Sequence, residues 1–345
     1  MSAPVGTAVE RLWDAAVGGD EQAAVEAVFA ALDAGLDLEA ALLDVVGVVQ
    51  RRVGLEWAAN RLSVAQEHAA TAINDRVIAA AVHSRPRPRA VLGRVTVACV
   101  DGEWHALPAR LLAETLRLRG FTVDYLGAQV PVPHLITHLH RTGPDAVALS
   151  GSLAPRLPTA HATITACQAA GVPVIAGGAA FGPDGRYARL LGADAWAPDA
   201  RAAAERLTAG PLPRPRGVHE VIDDLPHLAD QEYTMVTRTA AQLVKAVYTG
   251  IEERVPAMRE YTELQRQYTA EDIAHIVEFL ATSLYVGDGA LFFDFLTWTA
   301  EILSVRGVPA ESLRPALDLL AVELRDFPRA HSLLLGALEH LGKPA

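Results

Sequence analysis

The sequence predicts three folded regions in series: an all-α four-helix bundle, an α/β flavodoxin-like parallel sheet, and an all-α C-terminal domain. Three observations carry this. Between about residues 7 and 82, apolar positions recur three and four apart, as in Val25, Val28, Phe29, Leu32 and in Leu42, Val45, Val46, Val49, which is the helical period. From Gly93 to about Leu207, short apolar runs alternate with helical stretches, the signature of a doubly wound parallel sheet. Beyond about residue 228 no stretch reads as a strand and the helical period returns. Pro-rich runs punctuate the boundaries, Arg85-Pro86-Arg87-Pro88-Arg89 and Gly210-Pro211-Leu212-Pro213-Arg214-Pro215-Arg216-Gly217, dividing the chain into 1–84, 90–210 and 225–345.

In the first region Asp20 and Asp37 are expected N-caps, and Ser63-Val64-Ala65-Gln66 is a capping-box pattern that starts the last helix. Trp57 precedes that helix, and Glu67-His68 follow nine residues later in its second turn. Taken alone, they read as a core tryptophan and a solvated pair. In the second region strands are expected at 94–100, 121–126, 145–150, 172–176 and 194–197. In the third, helices are expected at about 229–249, 252–267, 270–286, 289–305, 310–324 and 328–341. Thr269-Ala270-Glu271-Asp272 and Pro309-Ala310-Glu311 read there as helix starts, and Gly250 and Gly307 as stops.

Composition narrows the function. At 345 residues with 51% hydrophobic content the chain is long enough for two or three cores. The formal charge of −11 argues against a nucleic-acid surface. No membrane span and no signal peptide is apparent, so a cytoplasmic protein is expected. The two cysteines, Cys99 in an expected strand and Cys167 on an expected helix, read as core residues and not as a disulfide.

The chemistry concentrates where the first strand, Val95 to Val100, runs into Asp101-Gly102-Glu103-Trp104-His105. Loops at the carboxyl ends of parallel strands hold ligands. Glu103, two residues before His105, is suited to orient the imidazole for a metal, because a ligating histidine usually donates its other N–H to a carboxylate. Two later strands end in Ser150-Gly151-Ser152-Leu153 and in Gly177-Gly178, on the same sheet edge.

This histidine, serine and Gly-Gly series resembles the cobalamin-binding domain of corrinoid methyltransferases, mutases and light sensors. The resemblance implies that His105 ligates cobalt from below, that Ser150 hydrogen-bonds the displaced base, and that Gly177 and Gly178 let its tail pass close to backbone. Two positions depart from the common pattern: Pro108 stands where many members have Gly, and Ser152 where many have Leu.

A tryptophan, nine residues, then Glu-His ahead of such a domain resembles the signature of CarH-type adenosylcobalamin photoreceptors. There the bundle caps the upper face of the corrin, implying that Trp57 packs on the adenosyl group and that Glu67 and His68 contact that side. The histidine that follows the tryptophan in those repressors is Ala58 here, and their DNA-binding head is absent from this sequence. A helical C-terminal domain in that setting resembles the photocobilins, which hold biliverdin beside the cobalamin.

Tyr285, Phe292, Phe293, Phe295 and Trp298 cluster in the sequence around Gly287-Asp288-Gly289, making Asp288, or Asp294, the candidate acceptor for a bilin's pyrrole nitrogens. Arg254, Arg259, Arg266 and Arg306 are the candidate partners of its propionates. The expectation is a light sensor and not an enzyme, with adenosylcobalamin and biliverdin, forming homo-oligomers whose assembly changes with light. The rival readings are a corrinoid shuttle of a methyltransferase system and a cobalamin-binding scaffold with a plain dimerisation domain.

Overall fold

The computed structural model describes residues 3–86, 88–215, 225–254, 258 and 260–342. They divide into two compact units, Met1–His219 and Glu220–Ala345.

The first unit begins with four helical rods: α1 Ala3–Gly18, α2 Glu21–Asp33, a third rod running from α3 Leu38–Ala40 to α4 Gly47–Ala58, and α5 Val64–His83. The third rod contains a π-helical stretch at Ala41–Val46. The Asp20 and Asp37 carboxylates accept from the main chain of Ala23 and Ala40, and Ser63 and Gln66 close a full capping box. These local bonds set where each helix starts. Val28, Leu42, Val45, Val46 and Val49 are fully buried between the rods, as their spacing requires.

The sheet follows, with β1 Arg94–Cys99, β2 Thr122–Gly127, β3 Ala146–Ser150, β4 Val174–Gly177 and β5 Ala195–Ala197, all pairs parallel, in the order β2-β1-β3-β4-β5. The helices between and after them are α6 Ala106–Leu118, α7 Val132–Thr142, α8 Leu157–Ala169, α9 Arg186–Leu190 and α10 Ala200–Thr208. The order is the flavodoxin-like one, and its switch point lies between β1 and β3, where the chain first crosses from one side of β1 to the other. Cys99 and Cys167 are buried, and burial pushes both thiols up to about 12, with the Glu103 charge adding to the effect at Cys99. That agrees with core roles for both.

Bundle and sheet share one core. Leu107 and Leu111 of α6 are buried in the same cluster as the bundle helices. Around that apolar contact, Arg119 pairs with Glu39, and Arg201 of α10 pairs with Asp44 at 2.9 Å. Asp44 of the π-helical stretch and Glu39, two residues before it, thus supply the bundle's charged grip on the sheet domain.

The second unit is helical throughout its described residues: α11 Glu232–Arg238, α12 Ala240–Arg254, α13 Glu263–Val286, α14 Gly289–Val305, α15 Arg314–Glu323 and α16 Pro328–Leu341. Sequence expectations are corrected here: the helix expected at 229–249 is interrupted at Thr239, and no single helix spans 252–267, since Tyr261 and Thr262 lie outside any helix. Thr269 does not start a helix. A capping box between Thr262 and Gln265 starts α13 seven residues earlier, and the Thr269 hydroxyl donates to the Gln265 carbonyl inside it. Nor is Gly250 a stop, since α12 continues four residues past it. A Cβ there would lie 2.7 Å from the Leu319 side chain, so this glycine serves close helix packing. Among the described residues no helix is long and apolar enough to cross a membrane.

Candidate functional site

Glu103 is the centre of the site. After β1 the chain turns sharply, with the Glu103 N–H donating to the Val100 carbonyl at 2.9 Å and Gly102 in the left-handed region at φ 79°. The turn sends the Glu103 side chain inward to full burial. One carboxylate oxygen accepts from the His105 main-chain N–H at 2.9 Å and lies 2.6 Å from His105 Nδ1. The other accepts from the main-chain N–H groups of Ser152 at 2.7 Å and Leu153 at 3.0 Å. A single carboxylate therefore joins the β1 and β3 loops across the switch point.

The electrostatics follow from that bonding. Burial alone raises the Glu103 carboxyl, but hydrogen bonds from the His105 ring and from the His105, Ser152 and Leu153 main chain outweigh it and hold the group at about 2. The imidazole is raised in turn, chiefly by its bond to Glu103 against the opposing effect of burial, with the Glu103 and Glu67 charges adding to it. His105 stands at the N-cap position of α6 without using its side chain as a cap, and 56% of that side chain is exposed. With Nδ1 committed to Glu103, Nε2 is the atom left to bind a metal. An imidazole donor oriented in this way fits a cobalt ion carried by a corrin ring.

The β3 and β4 loops complete the edge. Ser150 is buried, pairs in register with Cys99 and Gly177, and accepts from Val100 N–H through its carbonyl. The bond that involves Ser152 comes from its main chain. Gly178 has φ 102°, and a Cβ on it would stand 2.2 Å from the Gly151 carbonyl oxygen. The glycine is needed for the β3 and β4 loops to meet, where Gly151 N–H donates to Gly177 and Ala180 N–H donates back to Gly151. At Gly177 a Cβ would approach the Ala197 carbonyl oxygen at 3.1 Å, so that position is also tight.

The bundle supplies a second carboxylate–histidine pair. Trp57 lies in the last turn of α4, half-buried against the bundle core. Glu67 and His68 lie on α5, with His68 Nδ1 2.5 Å from one Glu67 oxygen. The other Glu67 oxygen accepts from the Thr71 hydroxyl at 3.0 Å, which accepts from Gln50 at 2.7 Å, whose amide oxygen accepts from the buried Asn74 at 2.8 Å. Every donor in this chain points outward, toward Glu67. The sequence reading found Glu67 and His68 but not Gln50, Thr71 and Asn74, whose connection requires two helices packed side by side.

Asp288 lies in the other unit, where it caps α14 by accepting from Ala290 N–H at 2.9 Å. Of the aromatic residues near it in sequence, Tyr285, Phe292 and Phe295 are buried, and Phe279 stacks on Phe295 at 3.8 Å between centroids. Trp298 is 46% exposed. Of the candidate cations, Arg254 lines an open groove of about 430 Å³ with Asp318, Arg325, His331 and Leu335, and Arg259 lies outside the described residues.

Comparison with known proteins agrees with the first unit. Residues 93–207 match a B12 binding domain, and residues 8–81 match a second model, also described as a B12 binding domain. No curated protein matches the chain. Among solved structures, the Methanosarcina barkeri monomethylamine corrinoid protein is similar over 59% of this chain and 97% of its own, at 20% identity and a TM-score of 0.52. That likeness shows the fold. A cobalamin-binding protein from Desulfitobacterium hafniense aligns at 22% identity over 58% of this chain and 97% of its own, with a TM-score of 0.33. The M. barkeri methanol:cobalamin methyltransferase complex aligns at 19% identity over 59% and 81%, with a TM-score of 0.31. Two adjacent B12-binding matches and a corrinoid-protein fold, laid over the His105–Glu103 site, make this chain a cobalamin-binding protein.

Proposed function

We propose that the first unit is a corrinoid carrier holding cobalamin with His105 Nε2 as the lower cobalt ligand. The observation that carries this is the Glu103 carboxylate, which orients His105 while tying together the β1 and β3 loops. An alkylated cobalamin held there would supply a cleavable Co–C bond. The protein's own residues orient the ligand, shape the cleft and cover the upper face. The chain presents the reactive group and leaves bond-making to partners or to light, so it is not itself an enzyme.

The first finer reading is a corrinoid shuttle serving a methyltransferase. The shared fold with a monomethylamine corrinoid protein favours it. The second reading is an adenosylcobalamin light sensor, favoured by Trp57 with the Glu67–His68 pair on the bundle. In that reading Trp57, Glu67 and His68 would line the space for an adenosyl group, which would supply a light-sensitive Co–C bond to which the bundle position and the subunit contacts of a homo-oligomer would respond. The second unit would then hold biliverdin without a covalent bond, because no cysteine follows Cys167, and the Arg254 groove offers cations for its propionates.

One experiment separates the readings. The full chain is loaded in the dark with adenosylcobalamin or methylcobalamin, with and without biliverdin, and spectra and oligomeric state are recorded before and after illumination. Preference for adenosylcobalamin that Trp57→Ala abolishes, with a light-driven change in assembly, supports the sensor. Equal binding of both forms, no change in assembly and methyl loss to a thiol nucleophile support the shuttle. Failure of His105→Ala to alter either spectrum or affinity removes both.

A further inference from the structure

Gln129 lies in the turn between β2 and α7, on the ligand-binding edge, and three features set it apart. Its φ is +50°, a left-handed conformation that a residue with a long side chain adopts only under constraint from its surroundings. Its main-chain N–H donates to the Glu103 carbonyl at 3.1 Å, which fastens this turn to the loop that carries His105. Its side-chain nitrogen is buried and has no acceptor among the described residues.

A buried donor without an acceptor is unfavourable, and so is the backbone conformation that delivers it there. The two together, one residue away in hydrogen-bond terms from the carboxylate that positions the cobalt ligand, describe a group held ready for an acceptor that arrives from outside. A neighbour shows the same feature. Arg156, in the turn that follows the β3 loop, has a buried Nε with no partner among the described residues, and that atom lies 3.3 Å from where a Cβ on Gly102 would stand. The Glu103–His105 loop is thus flanked by two buried nitrogen donors without a partner among the described residues. A corrin ring carries amide side chains around its rim, and their carbonyl oxygens are neutral acceptors matched to a neutral amide donor.

We propose that Gln129 is a corrinoid-binding residue whose side-chain amide donates a hydrogen bond to a carbonyl oxygen on the rim of the ring. This rests on the assignment of the site to a corrinoid and deepens it by naming a residue that recognises the ring itself, not the metal. Gln129 acts independently of what the upper face carries, so it serves adenosylcobalamin and methylcobalamin alike.

The test uses the full-length apoprotein titrated with methylcobalamin, followed by absorbance, together with thermal melting of the apo form. Gln129→Gly removes both the strained side chain and the unpartnered donor. The apoprotein is therefore expected to melt at the parent temperature or above it, while cobalamin affinity falls by about tenfold, the equivalent of one buried hydrogen bond. Gln129→Glu, which keeps the length but presents an acceptor, is expected to lose more. The bound spectrum keeps its histidine-ligated form in both variants, because His105 is untouched. His105→Ala is the control: if it loses affinity while both Gln129 variants bind as the parent does, the proposal is overturned and the corrinoid site stands. If His105→Ala also binds unchanged with an unaltered spectrum, the site assignment itself has failed. Should Gln129→Gly lower the melting temperature, Gln129→Glu decides alone, and parent-like affinity in it overturns the proposal.

Discussion

Arg119 grips Glu39 with two parallel hydrogen bonds, Nε to one oxygen at 2.6 Å and a terminal nitrogen to the other at 2.7 Å. Arg119 closes the helix that His105 opens, so one rod, α6, carries the ligand loop at its start and the contact to the bundle at its end. Glu39→Gln keeps the shape and removes the charge. Because the pair is partly exposed, the expected loss of global stability is about 1 kcal/mol or less. The sharper readout is local: main-chain hydrogen exchange in Leu38–Val46 should accelerate while β3 and β4 stay protected. Uniform acceleration across the sheet would contradict a docking role for this pair.

Glu103→Gln tests the carboxylate that joins the two loops. The amide has one acceptor oxygen for four donor contacts, and its own N–H₂ must face donors. Loss of an outer partner of a ligating histidine typically weakens metal binding by about 10- to 100-fold. A loss in that range is expected in a cobalamin titration, with His105 still in place. Parent-like affinity would mean that the imidazole orients itself unaided.

Gly178→Ala should damage folding more than binding. The added methyl meets the Gly151 carbonyl oxygen at 2.2 Å, and φ 102° is strained for any L residue with a side chain. A stability loss of at least about 2 kcal/mol is expected in urea unfolding, a size in keeping with backbone strain plus a steric clash. Gly143→Ala is the control, since its Cβ meets nothing within 4 Å and only its left-handed φ of 55° opposes the change. Equal effects at the two positions would show that the loop contact at Gly178 adds nothing to the backbone term.

Asp288→Ala separates two roles for that residue. As the N-cap of α14 it is expected to contribute about 1 kcal/mol to the stability of the second unit. If the second unit holds biliverdin as proposed, binding should survive where capping is the whole role of Asp288, and should fall well beyond that stability loss where Asp288 also meets the pyrrole nitrogens. In either case any bound pigment should wash free in denaturant, because Cys99 and Cys167 are buried in the first unit and no cysteine lies in the second.

Much of the molecule was legible before the fold was known, wherever the determining interaction is local. The caps at Asp20, Asp37 and Ser63 and the pairing of Glu103 with His105 depend on residues within about four positions of each other, and the strands announce themselves as short apolar runs. Alternation of strands with helices was enough to infer the flavodoxin-like sheet, because right-handed crossovers leave few other ways to wind it. Local signals also misled: Thr269 looked like a cap, but the stronger pairing of Thr262 with Gln265 had already started the helix, and Gly250 served packing against Leu319.

Long-range relationships were decided only by the tertiary structure. That Glu103 also binds Ser152 and Leu153, about 50 residues away, follows from β1 and β3 being neighbours at the switch point. That Gly178 exists to let the Gly151 carbonyl approach, and that Asn74 reaches Glu67 through Gln50 and Thr71, are likewise facts of packing between distant segments. A sequence states which groups a residue carries, whereas burial and the partner across the gap settle which of those groups are already satisfied and which, as at Gln129, are left waiting for a ligand.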